Sequence, residues 1–191
     1  MSTTITTIVE LNIPGLYIIY DAIGIEAERE LISQIDSSTW NTSLSRRTQH
    51  YGYEYNYNSK KLKPAPSMSG TILQLANHLT QNKYMNQIDQ AIINEYKRDQ
   101  HISSHTDANM FGPVIISVSL LEDCNFIFSN TKLNQNFQYL VPRYSALILT
   151  GEARSQWKHE IPKLKTLLYG DKKVPKSETY RRVSVTFRSV L

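Results

Sequence analysis

From Gln90 onward the chain is written in short runs with a two-residue period, and this constrains its fold more than any other feature. Gln90–Lys97, Pro113–Leu121, Asn125–Ser129, Phe137–Val141, Ala146–Thr150 and Val183–Val190 are rich in β-branched and aromatic residues and are separated by turn-forming ones. Strands in series, without alternating helical patterns, predict an antiparallel jelly-roll. Two helical patterns precede them. Ile25, Leu31, Ile32 and Ile35 fall at helical spacing over 25–36, with Glu26, Glu28, Arg29 and Glu30 between them. Ile72, Leu73, Leu75, Ala76 and Leu79 do the same from about Ser69 to Thr80. The run from Glu10 to Tyr20 reads as extended and is broken at Pro14-Gly15. The expectation is a mainly β fold with helices packed outside it. The Lys-rich stretch Pro162 to Thr179 is expected to be a long functional or mobile loop.

With 191 residues, 40% of them hydrophobic and 20% charged, the chain has the composition of one globular domain with a substantial core. Its single cysteine, Cys124, excludes an intramolecular disulfide and a Cys-rich zinc site, and fits a reducing compartment. Met1 to Thr7 carries no secretory pattern, and no run of about 18 apolar residues exists. The expected location is cytoplasmic or nuclear, with no membrane partner. The net charge of +4 permits contact with a polyanion. Basic residues cluster at Arg46-Arg47, Lys60-Lys61-Lys63, Lys163-Lys165, Lys172-Lys173-Lys176 and Arg181-Arg182. Taken singly, each such cluster reads as a solvated loop end.

The residues that carry chemistry are His105-Thr106-Asp107, His159 and the run Arg182 to Arg188. Two imidazoles and a carboxylate are a ligand set for non-haem Fe(II) that leaves coordination positions open. In an extended segment His105 and Asp107, at i and i+2, point the same way. A strand returning after the Gly151-Glu152 turn could bring His159 to them. His101 is the main rival ligand, His50 sits in a tyrosine-rich strand, and His78 lies on a helix. Zinc also accepts two His and one Asp. A hydrolytic zinc site leaves the late arginines without a role, so they favour iron.

On the last strand Arg182, Ser184, Thr186 and Arg188 share one face, and Val183, Val185 and Phe187 the other. Periodicity alone favours a polar face turned to water. If the face points inward, Arg182 is placed for the distal carboxylate of 2-oxoglutarate, and Arg188 for its metal-proximal end. Asn94 and Tyr96, also at i and i+2, could complete that pocket from a neighbouring strand. Metal, oxygen and a dicarboxylate together point to a 2-oxoglutarate-dependent dioxygenase. Tyr51, Tyr53, Tyr55 and Tyr57 alternate behind Arg46-Arg47. Extended, they present four rings on one face for stacking bases at roughly 1–3 kcal/mol each, or they cover a core.

Asn94-Glu95-Tyr96, His105-Thr106-Asp107, the stretch Thr150 to His159 and Arg182-x-Ser184-x-Thr186-x-Arg188 together resemble the AlkB-like Fe(II)/2-oxoglutarate dioxygenases. The segment Arg46 to Tyr55 is similar to the branch whose dioxygenase domain hydroxylates modified wobble uridines in tRNA. The likeness runs from about residue 14 to the C-terminus. It implies a double-stranded β-helix with an N-terminal α/β extension, in one domain over 1–191. Within it, about 40–66 would be a nucleotide-recognition lid and about 88–191 the jelly-roll core. It implies metal ligands His105, Asp107 and His159, and cosubstrate contacts at Asn94, Tyr96, Arg182, Ser184 and Arg188. Substrate contacts are expected at Arg46, Arg47, Tyr51, Tyr53, Tyr55 and Asn109. The implied cofactors are Fe(II), 2-oxoglutarate and oxygen, with ascorbate as a reductant. Two departures stand out. Repair members place a base-reading aspartate two residues after the metal aspartate, where this chain has Asn109. The tRNA-hydroxylating proteins also carry an RNA-recognition module and a methyltransferase domain, which these 191 residues do not hold.

The expected function is therefore oxidation of alkylated or modified bases, by demethylation or retained hydroxylation. RNA or tRNA is favoured over single-stranded DNA. Hydroxylation of a protein side chain and a catalytically silent RNA-binding module are the alternatives.

Overall fold

The computed structural model describes residues 7–56 and 59–191, so Tyr57 and the chain start up to Thr6 lie outside the described residues. The N-terminal part runs β1 (Ile8–Glu10), β2 (Leu16–Ile19), α1 (Ile25–Ser37), β3 (Thr48–Tyr51), β4 (Tyr53–Asn56), β5 (Lys61–Pro64) and α2 (Gly70–Gln81). There follow β6 (Gln90–Lys97), β7 (Ile102–His105), β8 (Phe111–Leu120), β9 (Cys124–Asn130), β10 (Gln135–Val141) and β11 (Ala146–Leu149). The chain ends with α3 (Gly151–Ser155), β12 (Lys158–Ile161), β13 (Thr166–Tyr169), β14 (Lys172–Pro175) and β15 (Arg181–Val190). Both long helices and the six predicted strands form, within a few residues of the expected bounds.

Two antiparallel sheets make the jelly-roll. The larger has the order β1-β2-β11-β8-β15-β6-β3 and the smaller β10-β9-β12-β7. Side-chain alternation divides the large sheet into two working faces. Ala91 and Ile93 of β6, Ile116 and Val118 of β8, Ala146 and Ile148 of β11, and Val183, Val185 and Phe187 of β15 face the helices. They pack with Leu31 and Ile35 of α1 and Ile72 and Leu79 of α2. The opposite face meets the small sheet, where Ile115, Leu147 and Leu149 pack against Phe126, Phe128, Trp157 and Ile161. Every residue of β11 is buried because both of its faces are covered.

In α1, Glu28 stands among the buried residues while Ile25 is exposed. The Glu28 carboxylate accepts from the Leu121 backbone N–H at 2.6 Å and pairs with the Arg143 guanidinium. Helical spacing had placed Glu28 on the polar side, because its partner is 115 residues away.

Two expectations need correction. Pro162 to Thr179 is not a long loop, since β13 and β14 form a hairpin with Leu167 buried. Asn125 clamps that hairpin to β9 by bonding the Leu168 carbonyl and N–H, and the Lys176 ammonium lies over the Tyr180 ring. The tyrosine run, too, is not one extended strand. At Gly52 the backbone enters the left-handed region (φ +73°), and a Cβ there would lie 1.9 Å from the Asp89 carbonyl oxygen. The chain turns there. β3 stays at the edge of the large sheet beside β6, while β4 leaves to pair with β5.

Candidate active site

The inward face of β15 meets the inward faces of its neighbours in register. Arg182 lies opposite Tyr96, Ser184 opposite Asn94 and Ser119, and Thr186 opposite Ser117. The polar face expected from periodicity to be solvated therefore lines the interior between the sheets. Arg182 is 1% exposed and Ser184 3%. The Arg182 guanidinium donates through Nη2 to Ser119 Oγ at 2.9 Å and lies near the Tyr96 and Phe126 rings. Its Nε is buried without a hydrogen-bond partner, and no carboxylate pairs with it among the described residues. A guanidinium removed from water and left without an anion is costly unless a ligand supplies one.

At the other end of this interior β12 pairs with β7, which sets His159 directly across from His105 with ring centroids 4.4 Å apart. Asp107 follows two residues after His105, just beyond the end of β7. One ligand atom from each of these residues lies within 4.8 Å of the other two. The rivals His101 and His78 are not part of the cluster. His105 Nδ1 contacts the Ser103 carbonyl at 2.8 Å and must be the donor, which leaves Nε2 with its lone pair free. His159 Nε2 faces Asp107 Oδ2 at 3.7 Å. The other carboxylate oxygen, Oδ1, accepts from Arg188 Nη2 at 2.5 Å, and Arg188 is held in turn by Gln90 at 3.0 Å.

The charge state suits a cation. Burial pushes the Asp107 carboxyl up, but Arg188, the two imidazoles and Arg154 outweigh it and bring the group down to about 2. Burial lowers His159 to about 4, against the pull of Asp107 and with help from neighbouring positive groups. At neutral pH the site therefore offers an ionised carboxylate and a neutral His159.

Two cavities meet here. The inner one runs from the cluster past Asn94 and Ser184 to Arg182. The outer one, of about 450 Å³, opens to solvent and is walled by Leu44, Arg46, His50, Tyr55, Phe111 and Arg188. They share Asn94, His105, Asp107 and Arg188, so a ligand in one borders a ligand in the other. A larger depression of about 790 Å³ lies on the helix side of β6. Its principal charges satisfy one another: Glu95 binds Arg47 at 2.7 and 2.9 Å and Arg181 at 2.7 Å, and Arg181 also holds Asp36. That depression carries no comparable chemistry.

The expected substrate contacts divide. Arg46 and Tyr55 wall the outer cavity. Arg47 does not; it pairs with Glu95 and lies over Trp40. Tyr51 is a core residue, 9% exposed, with its hydroxyl on Gln49. Tyr53 is exposed on β4, and Asn109 is exposed in the turn after Asp107; neither walls either cavity.

Sequence reasoning missed three contributors. His50 and Phe111 wall the outer cavity, and Phe111 packs edge-on to Tyr55 at 6.0 Å. Arg154, buried in α3, donates to the carbonyls of Asp107, Ala108 and Phe111 at 3.1, 2.8 and 3.2 Å and so fixes the loop carrying Asp107. Its position between Thr150 and His159 was a signal, but backbone acceptors leave no mark in a sequence.

Residues 27–188 match the 2OG-Fe(II) oxygenase superfamily. The chain belongs to this family. As a 2OG-Fe(II) oxygenase it is a 2-oxoglutarate-dependent dioxygenase of the AlkB-like kind, and the family's name supplies the two cofactors, Fe(II) and 2-oxoglutarate. It is 33% identical over 95% of its length to an Arabidopsis thaliana protein named alkylated DNA repair protein ALKBH8 homolog, of which it spans 60%. Over 78% of its length it is 32% identical to the Mus musculus tRNA (carboxymethyluridine(34)-5-O)-methyltransferase ALKBH8, of which it spans 24%. The solved structure of OsALKBH1 superposes with a TM-score of 0.73 at 15% identity, covering 95% of this chain and 99% of that one; this is a likeness of fold. The 2OG-Fe(II) oxygenase cofactors fit what the residues offer. The cluster is a two-imidazole, one-carboxylate donor set, and the buried Arg182 is a cation lacking its anion. No helix among the described residues is long and apolar enough to cross a membrane.

Proposed function

We propose that this dioxygenase oxidises a carbon substituent of a modified base in nucleic acid, with RNA, including tRNA, favoured over single-stranded DNA. Fe(II) would be held by His105, Asp107 and His159. 2-Oxoglutarate would lie along Asn94, Tyr96 and Ser184, with its distal carboxylate on Arg182. The observation that carries the reading is the inner cavity, which joins the His105, Asp107 and His159 donor cluster to a buried guanidinium without a counter-anion among the described residues.

When bound, the metal and cosubstrate supply oxidising power from molecular oxygen, converting 2-oxoglutarate to succinate and carbon dioxide; ascorbate would serve as an auxiliary reductant. The chain's own residues supply orientation. Ser103 fixes the His105 tautomer, Arg188 holds one oxygen of Asp107 and leaves the other toward the cluster, and Arg154 anchors the loop between them. Phe126, Leu147 and Ile161 give the inner cavity an apolar wall beside its polar groups.

The outer cavity is of a size ordinary for small-molecule sites and carries a ring pair, Tyr55 and Phe111, beside Arg46. Aromatic faces with a cation are a means of holding an unstacked base. The β4–β5 hairpin, which supplies Tyr55, is the part of the 40–66 segment suited to act as a lid. Support for a nucleic-acid substrate comes from relatives named for alkylated DNA repair and for tRNA uridine methylation. A loop nucleotide needs no flipping from a duplex, which favours RNA loops. Incubation with Fe(II), 2-oxoglutarate, oxygen and tRNA, mRNA or methylated oligonucleotides should yield succinate and a changed nucleoside by mass spectrometry. Asp107→Ala should yield neither. Succinate formation that survives this substitution would remove the metal assignment.

A further inference from the structure

Arg46 is 9% exposed, lines the outer cavity and donates through Nε to Asn94 Oδ1 at 2.9 Å, with its guanidinium beside the Tyr96 ring at 5.9 Å. No carboxylate pairs with it among the described residues, whereas its sequence neighbour Arg47 has Glu95. Among the described residues, Asp107 is the one acidic side chain lining the outer cavity, and it is already engaged by Arg188. The wall therefore presents a cation with no free anion to balance it. A cationic base entering this cavity meets like charge in a partly desolvated setting, where repulsion is far stronger than in water.

We infer that Arg46 sets the charge class of the substrate: the site takes bases whose rings are neutral and carry carbonyl or carboxylate acceptors, and rejects bases made cationic by ring-nitrogen alkylation. This deepens the proposed oxidation of nucleic-acid bases and rests on that reading. A planar guanidinium suits such acceptors, since it offers paired donors to a carbonyl edge or carboxylate. Because Nε is committed to Asn94, the terminal Nη groups are the ones available to a ligand.

The test uses matched single-stranded RNA oligonucleotides carrying one N1-methyladenosine (cationic), one N3-methyluridine (neutral) or one 5-carboxymethyluridine (anionic). Each is incubated with Fe(II), 2-oxoglutarate and oxygen and scored by nucleoside mass spectrometry. The expected result is at least a tenfold higher kcat/KM on the better of the neutral and anionic bases than on the cationic one. Arg46→Gln should shrink that ratio and Arg46→Glu should reverse it, with the KM for 2-oxoglutarate measured alongside. Preference of the unaltered protein for the cationic base overturns the inference. So does an Arg46→Glu variant that raises the KM for 2-oxoglutarate and leaves the ratio unchanged, for then Arg46 serves only Asn94 and the cosubstrate. If all three bases are oxidised equally, charge selection fails while base oxidation stands. If none is oxidised while succinate still forms, base oxidation itself fails and takes the inference with it.

Discussion

Arg182 and Arg188 stand on the same face of one strand, yet burial asks different things of them. Arg188 has carboxylate and amide partners already, and its removal frees Asp107 to rotate and to take up a proton more easily. Arg188→Met should weaken Fe(II) binding by about 10- to 100-fold, the usual effect of losing a group that orients a metal ligand. Metal titration of the variant checks this. Arg182 has no anion among the described residues, so only the Ser119 hydroxyl and the Tyr96 and Phe126 rings offset its desolvation. Arg182→Met should leave the metal- and cosubstrate-free protein equally stable or stabilise it by ~1–4 kcal/mol in denaturant unfolding. In the same variant the affinity for 2-oxoglutarate should fall by about 30-fold or more. A variant less stable than its parent would mean that Ser119 and the two rings already compensate Arg182 in full. His159 supplies a pH dependence. Its folded value of about 4 lies below the ordinary 6.5, so between these the unfolded chain holds a proton that the folded one refuses. Stability of the metal-free protein is thus complete above about 6.5 and declines as pH falls toward 4, by up to ~1.4 kcal/mol per pH unit from this group. Unfolding curves at pH 7 and 5 should show the drop, and His159→Gln should reduce it.

At the scale of elements, what was legible was whatever a local period dictates. The short run Gln90–Lys97, with Ile92, Ile93 and Tyr96 in it, forms β6 with the expected bounds, and α2 follows the spacing of Ile72, Leu75 and Leu79. The orientation of β15 was not legible, because one period fits a polar face turned to water or to a barrel interior. Only the pairing of β15 with β6 and β8 decides it. The tyrosine run misled for a different reason. Its period is real, but Gly52 breaks the strand between Tyr51 and Tyr53, and the close approach of Asp89 that requires a glycine comes from 37 residues away. Gly52→Ala should therefore cost more than the ~1 kcal/mol of an ordinary backbone mismatch, because a carbonyl oxygen occupies the space. Tyr51→Ala should lower stability by ~3–5 kcal/mol as a core deletion, whereas Tyr55→Ala should lower substrate affinity and leave stability nearly unchanged. Thermal unfolding and oligonucleotide titration separate the two. The β13–β14 hairpin was hidden by its lysines, although Gly170-Asp171 between two short alternating runs is a two-residue turn signal.

The whole molecule divides its large sheet between two tasks. The helix-facing side is apolar and packs α1 and α2, which secures the fold without any ligand. The other side gives up part of its core to the buried polar groups Asn94, Ser119, Arg182 and Ser184, which a polar ligand in the inner cavity would complement. Ligands that bind only the folded chain should then stabilise it strongly. At a hundredfold excess over Kd, metal with 2-oxoglutarate adds ~2.7 kcal/mol, a rise in Tm of about 5–10 °C for a domain of this length. Chelation should reverse it. The most direct measurement is anaerobic calorimetric titration of 2-oxoglutarate into protein loaded with Fe(II), compared with Asp107→Ala and Arg182→Met carried through the same loading. If Asp107 and Arg182 serve one ligand site, one 2-oxoglutarate should bind per chain of the unaltered protein, with a severe loss in each variant. Equal, undiminished binding in all three would contradict this.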